Sequence, residues 1–229
     1  MNSKQQRVPK PEAEPSARFA KGGRGERIDF TSQETPFGWM IVGTTKRGLC
    51  WLALAGTTAE AEGTLREEFP AAELRRDPSL AGIVDAALAT VGHPTVITGP
   101  AVLTKEPTPK KICISDATKL KRAKSEQLAA PQVLLDLRGT AFQLHVWQAL
   151  RQIPRGETRS YSQLARELGS PNATRAVARA CAMNRVAVVV PCHRVVGVSG
   201  ALTGYRWGVE RKRMLLEAEG RQSARPAKR

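Results

Sequence analysis

Histidine is scarce in this chain, with three in 229 residues, and the four cysteines, Cys50, Cys113, Cys181 and Cys192, lie far apart with no CxxC pair. A zinc centre needs several thiolate or imidazole ligands at recurring spacings, and a disulfide framework needs patterned cysteine pairs. Neither pattern is present. No metal site is expected, and reduced thiols in a cytosolic compartment fit the usage. Long apolar runs are missing too: nothing approaches the ~18 residues of a membrane-spanning helix, and the opening MNSKQQRVPKPEAEP lacks the apolar centre of a secretory signal. The expected location is cytoplasmic.

What the chain has in excess is positive charge, a formal +15. Such an excess favours an anionic partner, and its distribution says where that partner would sit. Residues 28–98 are net acidic by four charges, whereas 134–219 are net basic by seven and also carry a foldable apolar pattern. A nucleic-acid face therefore belongs to the C-terminal half. Basic tails at either end serve equally well as solubilising segments.

Texture divides the chain further. Residues 1–27 are rich in Lys, Arg, Pro and Gly with few large apolar side chains, so they are expected to form a disordered basic tail. Residues 28–98 read as a small α/β domain. Two strands, Gly38–Val42 and Gly48–Ala53, flank a TTKRG turn; a helix follows, capped by Thr57 or Thr58, and a second runs from Ser79 to about Val91. Residues 99–133, with KEPTPKK and KLKRAKSEQ, read as a basic flexible linker or insertion, and 221–229 as a basic tail.

From Leu134 to Gly220 the pattern is mostly helical. Thr140 can cap a helix whose Phe142, Val146, Trp147 and Leu150 form one stripe. SYSQLAREL and ATRAVARACAM are two short helices around a GSPN break, the proportions of a helix-turn-helix. On the second of them Arg175 and Arg179 share a face opposite the apolar stripe, where phosphates could be met. VAVVV reads as a buried strand closed by Pro191, and VERKRMLLEAEG as a final helix ending at Gly220.

Immediately after VAVVV stand Cys192, His193 and Arg194. A thiol becomes a good nucleophile only when ionised, by a neighbouring base or a positive field. His193 is that base if the chain turns at Pro191-Cys192 or if a water relays the proton. A histidine base needs an orienting acceptor, and Glu217 or Glu219 on the last helix could supply it. A buried inert cysteine beside a loop histidine would give the same letters. A nucleophile about ten residues beyond a DNA-reading helix nevertheless implies chemistry on the nucleic acid itself.

Taken together, LDLRGTAF, VWQAL, IPRGET, SYSQLA, TRAVARACAMN, VPCHRVVG and GYRWGVERK closely resemble the O6-methylguanine-DNA methyltransferase family, and within it the Ada branch, densely over residues 134–219 and loosely over 28–98. The resemblance implies a ribonuclease H-like N-terminal domain and a winged-helix-like C-terminal domain. It implies direct-reversal DNA repair: irreversible, single-turnover transfer of an alkyl group from O6-alkylguanine, with O4-alkylthymine a further substrate, in double-stranded DNA to Cys192. By the same resemblance His193 removes the thiol proton through a water and Glu219 orients it. Asn184 braces the active-site turn. Tyr161 crowds the phosphate and donates a proton toward the departing guanine. Arg175 replaces the flipped base, and Arg179, Arg194 and Arg206 join Tyr161 in contacting DNA. No cofactor is needed, the protein acts as a monomer, and in a bacterial cell it would sit at the nucleoid. A non-catalytic lesion binder is the competing expectation; such proteins lack the acceptor cysteine, so Cys192 argues against it.

Overall fold

A computed structural model describes residues 21–92 and 133–220. The expected linker except Val133, most of the N-terminal tail and the C-terminal tail, together with Cys113 and His93, lie outside the described residues.

The N-terminal half is a four-stranded mixed sheet in the order β3-β2-β1-β4, made of β1 (Arg27–Thr35), β2 (Gly38–Thr45), β3 (Gly48–Ala55) and β4 (Glu73–Arg76). The β1-β2 and β2-β3 pairs are antiparallel hairpins, while β4 returns parallel to β1 after α1 (Thr58–Glu68). Thr57, not Thr58, caps α1, its hydroxyl accepting from the Glu60 amide. A 3-10 turn at Pro78–Leu80 leads into α2 (Ala81–Thr90). The sequence reading anticipated β2 and β3 but not β1 or β4. RIDFTSQET and ELRR hold too few large apolar residues to announce strands; β1 is a strand because it pairs with β2 and β4, and β4 because it pairs with β1.

The tail boundary expected after residue 27 also shifts. Residues 21–27 already belong to the fold: Gly22 carbonyl accepts from the Ala71 amide at 2.7 Å, Glu26 carbonyl from Glu73 at 3.0 Å, and β1 begins at Arg27. These residues have little apolar surface of their own. Their order comes from backbone partners nearly fifty residues away, which composition does not reveal.

The C-terminal half contains α3 (Ala141–Leu150), α4 (Tyr161–Glu167), α5 (Thr174–Ala182) and α6 (Val209–Ala218), with a two-stranded parallel ribbon of β5 (Arg159–Ser160) and β6 (Val195–Val196). Thr140 and Ser160 cap α3 and α4 in reciprocal capping boxes with Gln143 and Gln163. The α4-α5 break is tight because Gly169 takes φ +70, a left-handed conformation that glycine adopts freely. On α5, Val177, Ala180 and Cys181 face inward while Arg175 and Arg179 are exposed. Trp147 holds this helix from beneath, its Nε1 donating to the Ala180 carbonyl at 2.9 Å. No helix among the described residues is long and apolar enough to cross a membrane.

The outer edge of β3 joins the halves. An uncovered strand edge presents unpaired backbone groups, and here two C-terminal segments cover it. Leu49 donates to Leu134 and accepts from Asp136; Leu52 donates to Arg185 and accepts from Ala187, at 2.8–2.9 Å. Gly48 permits the approach, since a Cβ there would stand 2.4 Å from the Leu134 carbonyl oxygen. A buried ionic knot lies alongside: Arg138 grips Asp136 with Nε and Nη2 at 2.9 and 2.8 Å and reaches Glu26 with Nη1 at 2.7 Å, while Thr45 donates to Asp136. Breaking a buried pair leaves an uncompensated charge, so Arg138→Ala is expected to lower unfolding free energy by about 3–5 kcal/mol in urea titrations. A change below ~1 kcal/mol would show the knot to be solvated in solution.

Candidate active site

The run VAVVV is buried as expected, but it is not a strand. Only Val186 pairs, with Leu52. The other backbone groups close a compact turn: Val190 N–H donates to Val186, Val189 to Ala187 and Cys192 to Val190. Val188 sits at φ +67, the one left-handed non-glycine residue among the described residues, and a β-branched side chain there is strained. The apolar letters told of burial; what replaces the ladder is a side chain, Asn184. Its Oδ1 accepts from the Val186 amide at 3.0 Å and its Nδ2 donates to the Val190 carbonyl at 2.8 Å. The same Nδ2 donates to Cys192 Sγ at 3.1 Å.

Cys192 opens a 3-10 turn, Cys192–Arg194, and all three residues are buried. Burial pushes its thiol pKa up, and the Asn184 hydrogen bond and the nearby Lys212 charge pull it back only in part. The resting form is therefore the thiol. His193 lies fully buried beside it, with Nε2 at 2.9 Å from Glu219 Oε1. Burial holds the His193 pKa below its ordinary value despite that carboxylate. Burial alone would raise Glu219 as well, but hydrogen bonds from His193 and Arg194 outweigh it and hold this carboxyl at about 2. An ionised carboxylate only accepts, so the His193 proton is on Nε2 and Nδ1 carries the free lone pair. Nδ1 has no hydrogen-bond partner among the described residues, as a base held ready requires.

The structure decides between the two glutamates. Lys212, Leu215, Leu216 and Glu219 fall on the buried face of α6, whereas Glu217 faces solvent. It also corrects the expectation for Arg194. That guanidinium is buried, donating to both Glu219 oxygens at 2.8–3.1 Å and to the Ile153 carbonyl at 2.6 Å. It is not presented to a phosphate, because it is buried and committed to these acceptors. Arg206, exposed, donates to Glu68 and stands over the rings of Trp51 and Trp207.

Tyr161, first residue of α4, is half-buried; its hydroxyl donates to the Thr203 carbonyl at 3.2 Å, and burial with the neighbouring thiols Cys181 and Cys192 pushes its pKa up to about 12. Two residues absent from the sequence reading complete the surroundings. Lys212 Nζ donates to the Val195, Thr203 and Gly204 carbonyls and lies 5.9 Å from the Tyr161 ring centre. Tyr205 is packed so that its hydroxyl has no partner among the described residues, and burial and the Cys192 charge push its pKa up. A signal for Lys212 existed: it is in register with Leu215, Leu216 and Glu219 at helical spacing. Its two basic neighbours in VERKR, Arg211 and Arg213, conceal it.

The lowered His193 pKa has a sign that can be checked. A base whose pKa is depressed stays neutral below its ordinary value of 6.5, so any Cys192-dependent rate should hold flat as pH falls through that value. Stability moves the other way. Below 6.5 the unfolded histidine takes up a proton that the buried one refuses, and the Glu219 carboxyl adds a second loss between 4.5 and about 2. Urea midpoints measured from about pH 8 to about pH 5 should fall with acid, and less so in His193→Gln. An unchanged midpoint across that range would mean that His193 is solvated.

Comparison with known proteins bears on this geometry. The family profile described as "6-O-methylguanine DNA methyltransferase, DNA binding domain" matches residues 141–221. The chain is 38% identical over 208 residues to the Escherichia coli "Bifunctional transcriptional activator/DNA repair enzyme Ada", covering 90% of this chain but 49% of that protein. It thus spans about half the length of that relative and of its Salmonella typhimurium counterpart. It is 48% identical over 140 residues to a Mycobacterium tuberculosis "Methylated-DNA--protein-cysteine methyltransferase", covering 58% of this chain and 85% of the relative. Among solved structures, Mycobacterium tuberculosis OGT in complex with DNA matches with a TM-score of 0.57 and 34% identity, covering 84% of this chain and 92% of that one.

Proposed function

Because this chain belongs to the methylated-DNA–protein-cysteine methyltransferase family, we propose that it repairs DNA by taking the alkyl group of O6-alkylguanine irreversibly onto Cys192. The observation that carries this reading is a buried thiol that receives the Asn184 amide and adjoins a histidine whose Nε2 is committed to Glu219.

His193 Nδ1 takes the Cys192 proton through a water, and Glu219, itself held in place by Arg194, stabilises the imidazolium that results. The Asn184 amide stabilises the sulfur as it becomes anionic. The thiolate attacks the alkyl carbon in line; the C–S bond forms as the C–O bond breaks, and the bonding pair leaves with guanine. Tyr161, kept a phenol by its raised pKa, donates a proton to the departing base. The imidazolium proton, relayed through water, restores the Tyr161 phenol, so in net terms the thiol hydrogen leaves with guanine and the alkyl group stays as a thioether. No side chain at the site offers a route to hydrolyse a thioether, so each molecule acts once and no cofactor resets it.

A buried thiol cannot reach O6 inside a duplex, so the base must be extruded. The α4-α5 pair serves as the helix-turn-helix of a winged-helix-like domain, with α5 in the minor groove and exposed Arg175 taking the vacated place in the stack while Arg179 meets phosphate. The mixed sheet with its α1 crossover suits a ribonuclease H-like N-terminal domain. The protein works as a monomer, in the cytoplasm.

The test is intact mass after mixing the protein with a short duplex carrying O6-methylguanine. A gain of about 14 Da mapped to Cys192, absent in Cys192→Ser, is the expected result. Lesion-selective binding without any mass gain would favour the non-catalytic lesion binder instead.

A further inference from the structure

Glu68, the last residue of α1, is tied to both segments that border the acceptor. Arg185 Nε donates to its Oε1 at 2.6 Å, and Arg206 Nη2 donates to its Oε2 at 2.8 Å. Each arginine adjoins a residue at the thiol. Arg185 follows Asn184, which bonds Cys192 Sγ, and its own carbonyl accepts from Leu52 of β3. Arg206 follows Tyr205, whose ionisation the Cys192 charge opposes. The Arg206 guanidinium lies 5.1 Å from the Trp51 ring centre and 5.0 Å from that of Trp207, and those two indoles meet edge-to-face at 5.6 Å. From the opposite side, Tyr161 and Lys212 both donate to the Thr203 carbonyl. The segment Thr203–Trp207 is thus pinned from the acceptor side by the C-terminal half and from the outer side by the N-terminal half.

This is more than a surface ion pair. The Glu68 side chain is 16% exposed and shares its two oxygens between two guanidiniums that are 24% and 30% exposed. Charge-assisted bonds in such partly dry surroundings fix geometry, whereas an exposed pair contributes little.

We propose that Glu68 is a positioning residue for alkyl transfer: by holding Arg185 and Arg206 it fixes Asn184–Val190 and Thr203–Trp207, the two walls of the acceptor pocket, and so sets how an alkyl group lies against the thiolate. The proposal rests on Cys192 being the acceptor. In-line attack tolerates little misplacement, and an error of about 1 Å costs on the order of a hundredfold in rate. A wall loosened by loss of the carboxylate leaves a small methyl group poorly aligned, while a bulkier group still fills the wider space.

Single-turnover rates at saturating duplex, for O6-methylguanine and O6-benzylguanine, test it in wild type, Glu68→Gln, Arg206→Gln and the double variant. Methyl transfer in Glu68→Gln should fall about tenfold with DNA affinity unchanged, and the benzyl-to-methyl ratio should rise by a similar factor. Because Glu68 holds Thr203–Trp207 through Arg206 and Asn184–Val190 through Arg185, Arg206→Gln should shift the ratio in the same direction and the double variant should be no worse than Glu68→Gln. If Glu68→Gln does not fold, the Arg206→Gln ratio decides. Equal slowing of both lesions, or no slowing, overturns the proposal. So does tighter DNA binding at an unchanged transfer rate, which would mean that Glu68 merely keeps Arg206 from phosphates. Failure of the wild-type protein to alkylate at Cys192 would instead overturn the acceptor reading itself.

Discussion

Exchanging Glu219 for Gln will nearly abolish alkyl transfer and also cost folding stability. Three groups converge on this carboxylate: His193 Nε2, the Arg194 fork and, at 3.4 Å, the Gly156 amide. A neutral amide keeps the volume but cannot balance Arg194, which would remain buried without its counter-charge, a loss of about 3–5 kcal/mol. The amide also presents a donor where an acceptor was, so it no longer dictates that the His193 proton reside on Nε2. General-base assistance of this kind is worth ~10²–10⁴-fold, and the single-turnover rate should drop within that range. The two effects separate experimentally: urea titration reads the first, and quenched-flow alkylation below the variant's unfolding midpoint reads the second. A variant that is destabilised yet transfers at the wild-type rate would show that His193 is not the base.

The other large effect is expected at Asn184, which supplies both the geometry of the acceptor turn and a hydrogen bond to the sulfur. In Asn184→Ala the Val186 amide and the Val190 carbonyl lose their side-chain partners inside the core, at about 1–3 kcal/mol each. The nucleophile loses the side-chain donor to its sulfur, at the atom where negative charge develops. Loss of one such aimed donor in other active sites lowers rates ~10²–10³-fold, and a similar drop in methyl transfer is expected. The strain at Val188 sharpens the prediction. A β-branched residue keeps φ +67 only while its surroundings insist on it, so the alanine variant should also lose protection from hydrogen exchange across Val186–Cys192. Retained protection with a lost rate would assign Asn184 to chemistry alone; full activity would remove it from both roles.

How much of this was legible beforehand differs from one segment to the next. The cap Thr140, the stripes of α3 and α5, the turn at GSPN and the stop at Gly220 are local signals, written within one or two helical turns, and the helices follow them. The family was legible for the same reason, since its motifs are short runs along the chain, with Cys192 and His193 as neighbours in one of them. Long-range partnership was not. β1 owes its existence to β2 and β4, β4 to β1, residues 21–27 to backbone partners near Glu73, and the VAVVV turn to an asparagine that replaces a ladder. The fates of the charged residues follow the same rule. Arg194, Arg206 and Lys212 are three basic letters among 36, alike in sequence. Folding alone places the first against Glu219, the second against Glu68 between two indoles, and the third beneath Thr203. A charge in water is nearly indifferent to its neighbours, whereas a buried charge must find a partner. Which partner it finds depends on what the sheet and the helices bring together across the chain, and only the tertiary structure settles that.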